Sequence, residues 1–522
     1  MDKIKERNRF FAGYAKNRIT SAFYIFVGNV TNIALLLMQA LLLPPLLLKS
    51  VNPELYAFWI AGMDLMIWAS SSISYGVPHI MAQHIGIAYS KKDFRAIGEH
   101  FTAGMALILL LALLFILAAY YATQGIHYGM TVNETDSHLL GKAFFLCCVS
   151  IGLTTIFNGT EMFLVSIQQS LFIKFWGSFS FLVGLITSLL CIKLGYGILA
   201  IPFGMLARAV VALSAGVFLA VRCVLRDYSQ NIFFCKNRFW KMAKQSVGSM
   251  CILFSHEALN AGDNFLAMSF FGPEIVLLLS FTKKAADLVR YIMDSITAAS
   301  VGVFPHLVGI GDKVKILKGR TEILNVQQWF GLSLLLAYIV WNSQAITLWV
   351  GSKYYGGIAL TVAIAGATFI SARSYLSNSL YKFTGPVMRS SIIAVIELLL
   401  KFTFVFLLAP VIGVTGLPTA TIMACFVFFG VANYLTRKEI GFLNRTKRTV
   451  IFNKYTILYL TFFLLSLGYS WWAWHHGSWF GLISGGIMSV SFVGISILLY
   501  DIHLVRYKIK LASIFKWPQK NI

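Results

Sequence analysis

The chain has 522 residues, of which 58% are hydrophobic and only 12% charged, with a mean hydropathy of +0.75. Soluble domains carry about a quarter charged residues, so this composition excludes a soluble globular protein and points to a membrane. The net charge of +23 would suggest nucleic acid in a soluble chain. In a membrane chain it belongs to the loops of one face, and no nucleic-acid partner is expected.

The N-terminal tail is basic (Lys3, Lys5, Arg7, Arg9, Lys16, Arg18) and lacks a short apolar run with a small-residue cleavage site, so no signal peptide is expected. Apolar runs then follow one another at 21–48, 56–86, 101–123, 139–165, 171–192, 198–221, 246–272, 274–310, 327–350, 357–381, 391–410, 414–436, 455–474 and 478–500. A spanning helix needs about 20 such residues. The expected fold is an all-α membrane protein of about 14 transmembrane helices. The second and eighth runs exceed one crossing and must tilt, bend or protrude. Trp471, Trp472, Trp474 and Trp479 at the last hairpin read as an interfacial belt, and His475 and His476 there read as solvated.

Orientation follows from the basic residues of alternate loops. One face collects 33 of the 43 Lys and Arg, and the other receives Lys49, Lys142, Lys193 and Lys353. Positive charge marks the cytoplasmic side, so both termini are expected inside a bacterial inner membrane.

A repeat is visible. Tyr75-Gly76-Val77-Pro78-His79 in the second run matches Gly302-Val303-Phe304-Pro305-His306 in the eighth. Leu194-Gly195-Tyr196-Gly197 before the sixth matches Ile412-Gly413-Val414-Thr415-Gly416 before the twelfth. Both pairs lie six spans apart, which predicts two parallel six-helix lobes, 1–225 and 246–440. A basic linker, 226–245, joins them, and 441–522 adds two further helices and a basic tail. Parallel-repeat transporters bind substrate between their repeats and rock one against the other. Gly76, Pro78, Gly302 and Pro305 are the hinge candidates.

Charges within the apolar runs are the main functional signal. The eighth run carries Lys283, Lys284, Asp287, Arg290 and Asp294. Each deep charge costs about 2.5–3.5 kcal/mol on insertion scales, so this helix is not expected to face lipid. Lys283, Asp287, Arg290 and Asp294 are spaced 4, 3 and 4 apart and share one helical face, which predicts a lining for a wet cavity or a partner helix. The seventh run offers His256, Glu257 and Asp263, with Asp263 placed to pair with Lys283 across the intervening turn. The second run places Asp64, Ser71, Tyr75 and His79 along roughly one face, with Asp64 opposite Arg290 in the repeat. Glu161, Arg208 and Arg373 stand singly in the fourth, sixth and tenth runs. Glu397 and Lys401 read as a structural i,i+4 pair.

Enzyme signatures are lacking in the sequence: no G-x-x-x-x-G-K-[ST] loop, no H-E-x-x-H and no Gly-rich nucleotide fingerprint. The seven cysteines form no C-x-x-C pair, so neither a disulfide framework nor a metal site is expected. No cofactor and no catalytic residue is expected.

Two lobes, two extra C-terminal helices and a basic N-tail resemble the Wzx-type polysaccharide flippases of the multidrug/oligosaccharidyl-lipid/polysaccharide exporter superfamily. Leu43-Pro44-Pro45-Leu46, Tyr75-Gly76-Val77-Pro78, Leu348-Trp349-Val350-Gly351-Ser352-Lys353-Tyr354-Tyr355 and Gly413-Val414-Thr415-Gly416 carry the resemblance. It implies a substrate built as an oligosaccharide (O-antigen or capsule) repeat unit on undecaprenyl pyrophosphate and flipped outward by alternating access. Lys283, Lys284, Arg290, Arg208 and Arg373 would line a cationic cavity for the pyrophosphate, and Asp64, Glu257, Asp263, Asp287 and Asp294 would couple to an H+ or Na+ gradient or pair structurally. A polysaccharide polymerase and glycosyltransferases would be neighbours. The competing readings are a cation-coupled multidrug antiporter of the same superfamily, a major-facilitator carrier, and a membrane-embedded glycan polymerase or glycosyltransferase.

Overall fold

The computed structural model describes residues 18–440, apart from 92, 126–133, 168, 228–233 and 311–312. Twelve long helices follow one another: α1 (Arg18–Ser50), α2 (Pro53–Ser90), α3 (Phe94–Gly125), α4 (Glu134–Ser166), α5 (Ser170–Lys193), α6 (Ala200–Asp227), α7 (Lys236–Phe271), α8 (Pro273–Ile310), α9 (Lys313–Trp349), α10 (Gly357–Thr384), α11 (Val387–Ile412) and α12 (Gly416–Ile440). Each of the first twelve apolar runs falls on one helix. The runs at 455–474 and 478–500, with their tryptophans, lie outside the described residues.

Among the described residues, eight stretches are long and apolar enough to cross a membrane, and they cover α1, α3, α4, α5, α6, α9, α10 and, as one stretch, α11 with α12. The chain is a multi-pass membrane protein. The helices left out are α2, α7 and α8, which carry charged side chains such as Asp64, Glu257, Asp263, Lys283 and Arg290 within their length. A helix of that composition is stable in a bilayer only where protein or water covers its polar face. At about 1.5 Å per residue, the 38 residues of α2 and of α8 reach about 57 Å, well beyond a hydrocarbon core of about 30 Å.

Local chemistry sets the helix ends. The Asn52 side chain accepts from the Glu54 backbone N–H at 3.1 Å, and Pro53 occupies the first turn of α2, where no amide hydrogen is needed. Between α7 and α8 the turn is Gly272-Pro273. Gly272 sits at φ 87 and returns its N–H to the Met268 carbonyl, while Pro273 opens α8. Only glycine takes that backbone conformation without strain.

The described residues gather into two compact units, one running to Leu277 with Val387–Leu400, the other Leu278–Pro386 with the residues from Lys401 onward. The first unit includes α7, which packs along α2.

In the first unit α2 and α7 pack along each other, and both carry many small and polar side chains. Ser70, Ser71, Ser72, Ser74 and Gly76 on α2 are buried, as are Ser246, Gly248, Ser249, Ser255 and Asn260 on α7. With no hydrophobic drive between helices in lipid, close backbone approach and shared hydrogen bonds hold such a seam. A Cβ on Gly76 would lie 2.5 Å from the Met250 Cγ. At the α5–α6 crossing the neighbour is backbone: a Cβ on Gly204 would lie 2.6 Å from the Gly184 carbonyl oxygen. Around these seams Met81, Ile85, Ile97, Ile108, Phe163 and Ile173 fill an apolar core.

In the second unit α10 packs on α12 through small residues, including Ala365, Ala372 and Ser377 on α10 and Ala420 and Ala424 on α12. Gln327 on α9 is fully buried and donates toward the Met293 carbonyl (3.4 Å), Thr297 Oγ1 (3.3 Å) and the Ala372 carbonyl (3.2 Å), tying α8, α9 and α10 together. Tyr338 Oη and Asn342 Nδ2 both donate to the Thr282 carbonyl, at 2.8 and 3.1 Å.

Candidate functional site

Five helices of the first unit bring charged groups together. Glu161 near the end of α4 pairs with Lys174 in the first turns of α5, Oε1 to Nζ 2.7 Å. Both side chains are largely enclosed, at 16% and 13% exposure. Arg208 on α6 lays its guanidinium 3.2 Å from the centre of the Phe181 ring of α5, a cation–π contact made possible by the glycine crossing below it. Glu161, Arg208 and Glu257 of α7 all lie within electrostatic range of the Tyr75 hydroxyl on α2. Tyr75 is 44% exposed and stacks loosely on the exposed His79, ring centres 6.1 Å apart, so the cluster is open on that side. The Glu161–Lys174 pair sets opposite charges against each other across neighbouring helices, an arrangement that lets charged groups persist in a membrane.

A second polar layer lies along the same α2–α7 seam. Asn264 Nδ2 donates to Asp64 Oδ2 at 2.6 Å, and the adjacent Asp263 is buried. Asn260 and His256 are buried one and two turns earlier on α7, with Asn260 Nδ2 donating to the His256 carbonyl at 2.7 Å. Ser74 Oγ and Thr155 Oγ1 lie 2.8 Å apart, and Asn158 Nδ2 donates to the Ser74 carbonyl, which anchors the neighbouring stretch of α2 to α4. These two layers thus contain the carboxylates Asp64, Glu161, Glu257 and Asp263 and the cations Lys174 and Arg208.

The second unit holds the charged face of α8. Lys283 Nζ stands 3.8 Å from Asp287 Oδ1, and an Arg290 guanidinium nitrogen 3.9 Å from Asp294 Oδ2, each pair one helical turn apart. Lys283 and Arg290 are buried, Lys284 is half-buried, and the Asp287 side chain is 29% exposed. Arg290 also lies 5.1 Å from the centre of the Tyr291 ring, and Asp287 is within electrostatic range of Tyr338 on α9. The face itself carries two cations and two carboxylates, and Lys284 lies beside it.

The remaining residues singled out in the sequence divide further. Arg373 on α10 is buried within the second unit. It donates to the Leu324 carbonyl at 2.8 Å and lies between the Phe369 and Phe429 rings, so it is held by α9 and α12 and not by the α8 face. Glu397 and Lys401 are both buried, one turn apart on α11. α2 continues unbroken through Gly76 and Pro78, and α8 is helical through Gly302 and Pro305.

Sequence reasoning does not connect Glu161 to Lys174, one of the 33 basic-face charges. A lone lysine and a lone glutamate inside otherwise apolar runs are the available signal. It also passes over Glu99, which is buried in α3 and takes Arg95 Nε at 2.9 Å and Arg238 Nε at 2.5 Å.

No family model matches the sequence, and no curated protein matches it significantly. Solved structures do share its fold. An outward-facing multidrug resistance MATE family transporter of the MOP superfamily superposes with a TM-score of 0.66 at 13% identity, over 82% of this chain and 97% of that one. The inward-facing conformation of a multidrug resistance MATE family transporter gives 0.62 at 13% identity, over 81% and 96%. A MOP superfamily transporter from Pyrococcus furiosus, whose binding pocket has reversed polarity that suggests a different function, gives 0.66 at 13% identity, over 82% and 97%. The architecture is therefore the MATE-like fold.

Proposed function

We propose that this protein is a secondary transporter that exports an amphipathic substrate by alternating access, driven by a cation gradient taken up on the carboxylates of the first unit. The observation that carries the proposal is the enclosed Glu161–Lys174 pair, with Glu161, Arg208 and Glu257 in electrostatic range of Tyr75, in a fold shared with multidrug transporters. A carboxylate whose positive partner can be displaced is a site for H+ or Na+, because the bound cation replaces the lost charge. Glu161 and Glu257 are the coupling residues in this account. Asp64 and Asp263 flank them, and Gly76, Pro78, Gly302 and Pro305 stay as hinge candidates. Multidrug export is the reading that the solved relatives of the fold favour.

A second reading has its own support. The α8 face, with Lys283 and Arg290 against Asp287 and Asp294 and Lys284 beside it, suits an anionic head group better than a cationic drug. Pocket polarity is associated with a difference in function in the Pyrococcus furiosus transporter, and a polyprenyl-pyrophosphate-linked oligosaccharide is the anionic amphiphile that this face would take. Polysaccharide polymerase and glycosyltransferases would then be its partners, and cytoplasmic termini in an inner membrane its orientation.

Purified protein in proteoliposomes under an imposed H+ or Na+ gradient tests both. Gradient-driven uptake of a lipophilic cation such as ethidium supports multidrug export. Translocation of a polyprenyl-pyrophosphate glycan, lost in Arg290→Gln, supports the flippase. Movement of neither compound under either gradient contradicts both.

A further inference from the structure

A group of arginines inside the second unit is explained by neither reading. Arg320 lies two turns into α9 and is only 3% exposed. One of its terminal nitrogens donates to Asn433 Oδ1 of α12, whose own Nδ2 is spent on the Phe429 carbonyl at 2.7 Å. Its Nε is buried and has no hydrogen-bond acceptor among the described residues. The charges that weigh most on Arg320 are Arg437, one turn beyond Asn433 on α12, and Arg373 on α10. Arg373 in turn reaches the carbonyl of Leu324, one turn deeper on α9. Among the described residues no carboxylate pairs with any of these three arginines. The 82 residues beyond Ile440 offer one acidic side chain, Asp501, against nine Lys and Arg.

Bringing three guanidiniums together in a membrane protein without a counter-charge is costly. Burial removes their hydration, and mutual repulsion adds to the loss. An anion removes both terms. Arginine is the side chain suited to a phosphate, which it can bind through two parallel N–H bonds. The position favours such a ligand too. Arg320 and Arg437 lie at the basic-loop ends of α9 and α12, and the half-buried Arg437 leads outward to Lys438. Basic pockets between transmembrane helices at that face bind phosphate head groups.

We infer that Arg320, Arg373 and Arg437 form a phosphate-binding site at the basic-loop end of the second unit, between α9, α10 and α12. Its ligand is a phosphate group, carried by an anionic membrane lipid or free in solution. The Arg437 guanidinium receives it at the mouth, and the Nε of Arg320 supplies the buried donor. Arg373 is held in place by Leu324 and the two phenyl rings and contributes charge from below. The site is separate from the α8 face and does not depend on which substrate is exported.

The test uses the full chain, purified and stripped of lipid. Thermal unfolding and native mass spectrometry are run with cardiolipin, with zwitterionic phosphatidylethanolamine, and with inorganic phosphate. Arg437→Gln, at the half-buried position, is the main variant, and Arg320→Gln is added where it folds. Lys318→Gln, an exposed lysine on the same helix, is the control for general surface charge. Cardiolipin retained and stabilising in wild type, and bound about tenfold or more weakly by Arg437→Gln, assigns the site to a lipid head group. The same pattern with inorganic phosphate alone assigns it to free phosphate. Equal binding in wild type and Arg437→Gln, or an equal loss in Lys318→Gln, overturns the inference.

Discussion

Removing one partner of the Glu161–Lys174 pair should destabilise the protein far more than removing both. The two groups meet at 2.7 Å with 16% and 13% of their side chains exposed. Breaking a buried pair by deleting one partner costs about 3–5 kcal/mol, because the other charge is left in a poor solvent. The residual exposure puts this pair at the lower end, about 3 kcal/mol for Glu161→Gln or for Lys174→Met. The double variant Glu161→Gln/Lys174→Met strands no charge, and replacement of a whole buried pair is often near neutral, so its cost should be about 1 kcal/mol. Equilibrium unfolding in mixed micelles of the wild type, both singles and the double gives the cycle directly. A double variant whose cost equals the sum of the singles to within about 0.5 kcal/mol would refute the claim that the two groups act on each other.

Gly204→Ala should destabilise by about 1–3 kcal/mol, since its Cβ would meet the Gly184 carbonyl oxygen at 2.6 Å and force α5 from α6. Gly262→Ala, whose Cβ meets nothing within 4 Å, should instead be neutral or stabilising by up to about 1 kcal/mol; thermal unfolding compares the two. Arg208→Lys keeps the charge but loses the planar stacking at 3.2 Å from the Phe181 centroid, and should lower stability by about 1 kcal/mol in the same assay. Glu99→Ala, which strips Arg95 and Arg238 of their shared carboxylate, should cost about 2 kcal/mol, and Glu99→Gln less; equal costs would show that the carboxylate charge is immaterial.

The helices were legible because lipid demands long apolar runs, and all of the first twelve expected runs became helices. Their ends were less so. α7 begins at Lys236 and α9 at Lys313, each ten or more residues before the apolar run. Hydropathy reports where the membrane ends, whereas a helix can continue into water on polar side chains. The α8 face was readable from its 4-3-4 spacing, which is a local property, and its i,i+4 pairs are present. Pairings between distant helices were not readable. Glu161 with Lys174, Asp64 with Asn264 and Arg320 with Asn433 depend on helix packing, which the one-dimensional pattern does not encode. Gly184 and Gly204 looked like ordinary glycines of apolar helices until α5 and α6 were brought together.

The central claim is that carboxylates of the first unit couple transport to a cation gradient, and one measurement separates coupling from binding. Proteoliposomes containing wild type or Glu161→Gln are assayed for substrate exchange without a gradient and for accumulation against a concentration difference with one. The account predicts that the variant still exchanges substrate but no longer accumulates it. Gradient-driven accumulation at the wild-type level in Glu161→Gln, and also in Glu257→Gln, would contradict it.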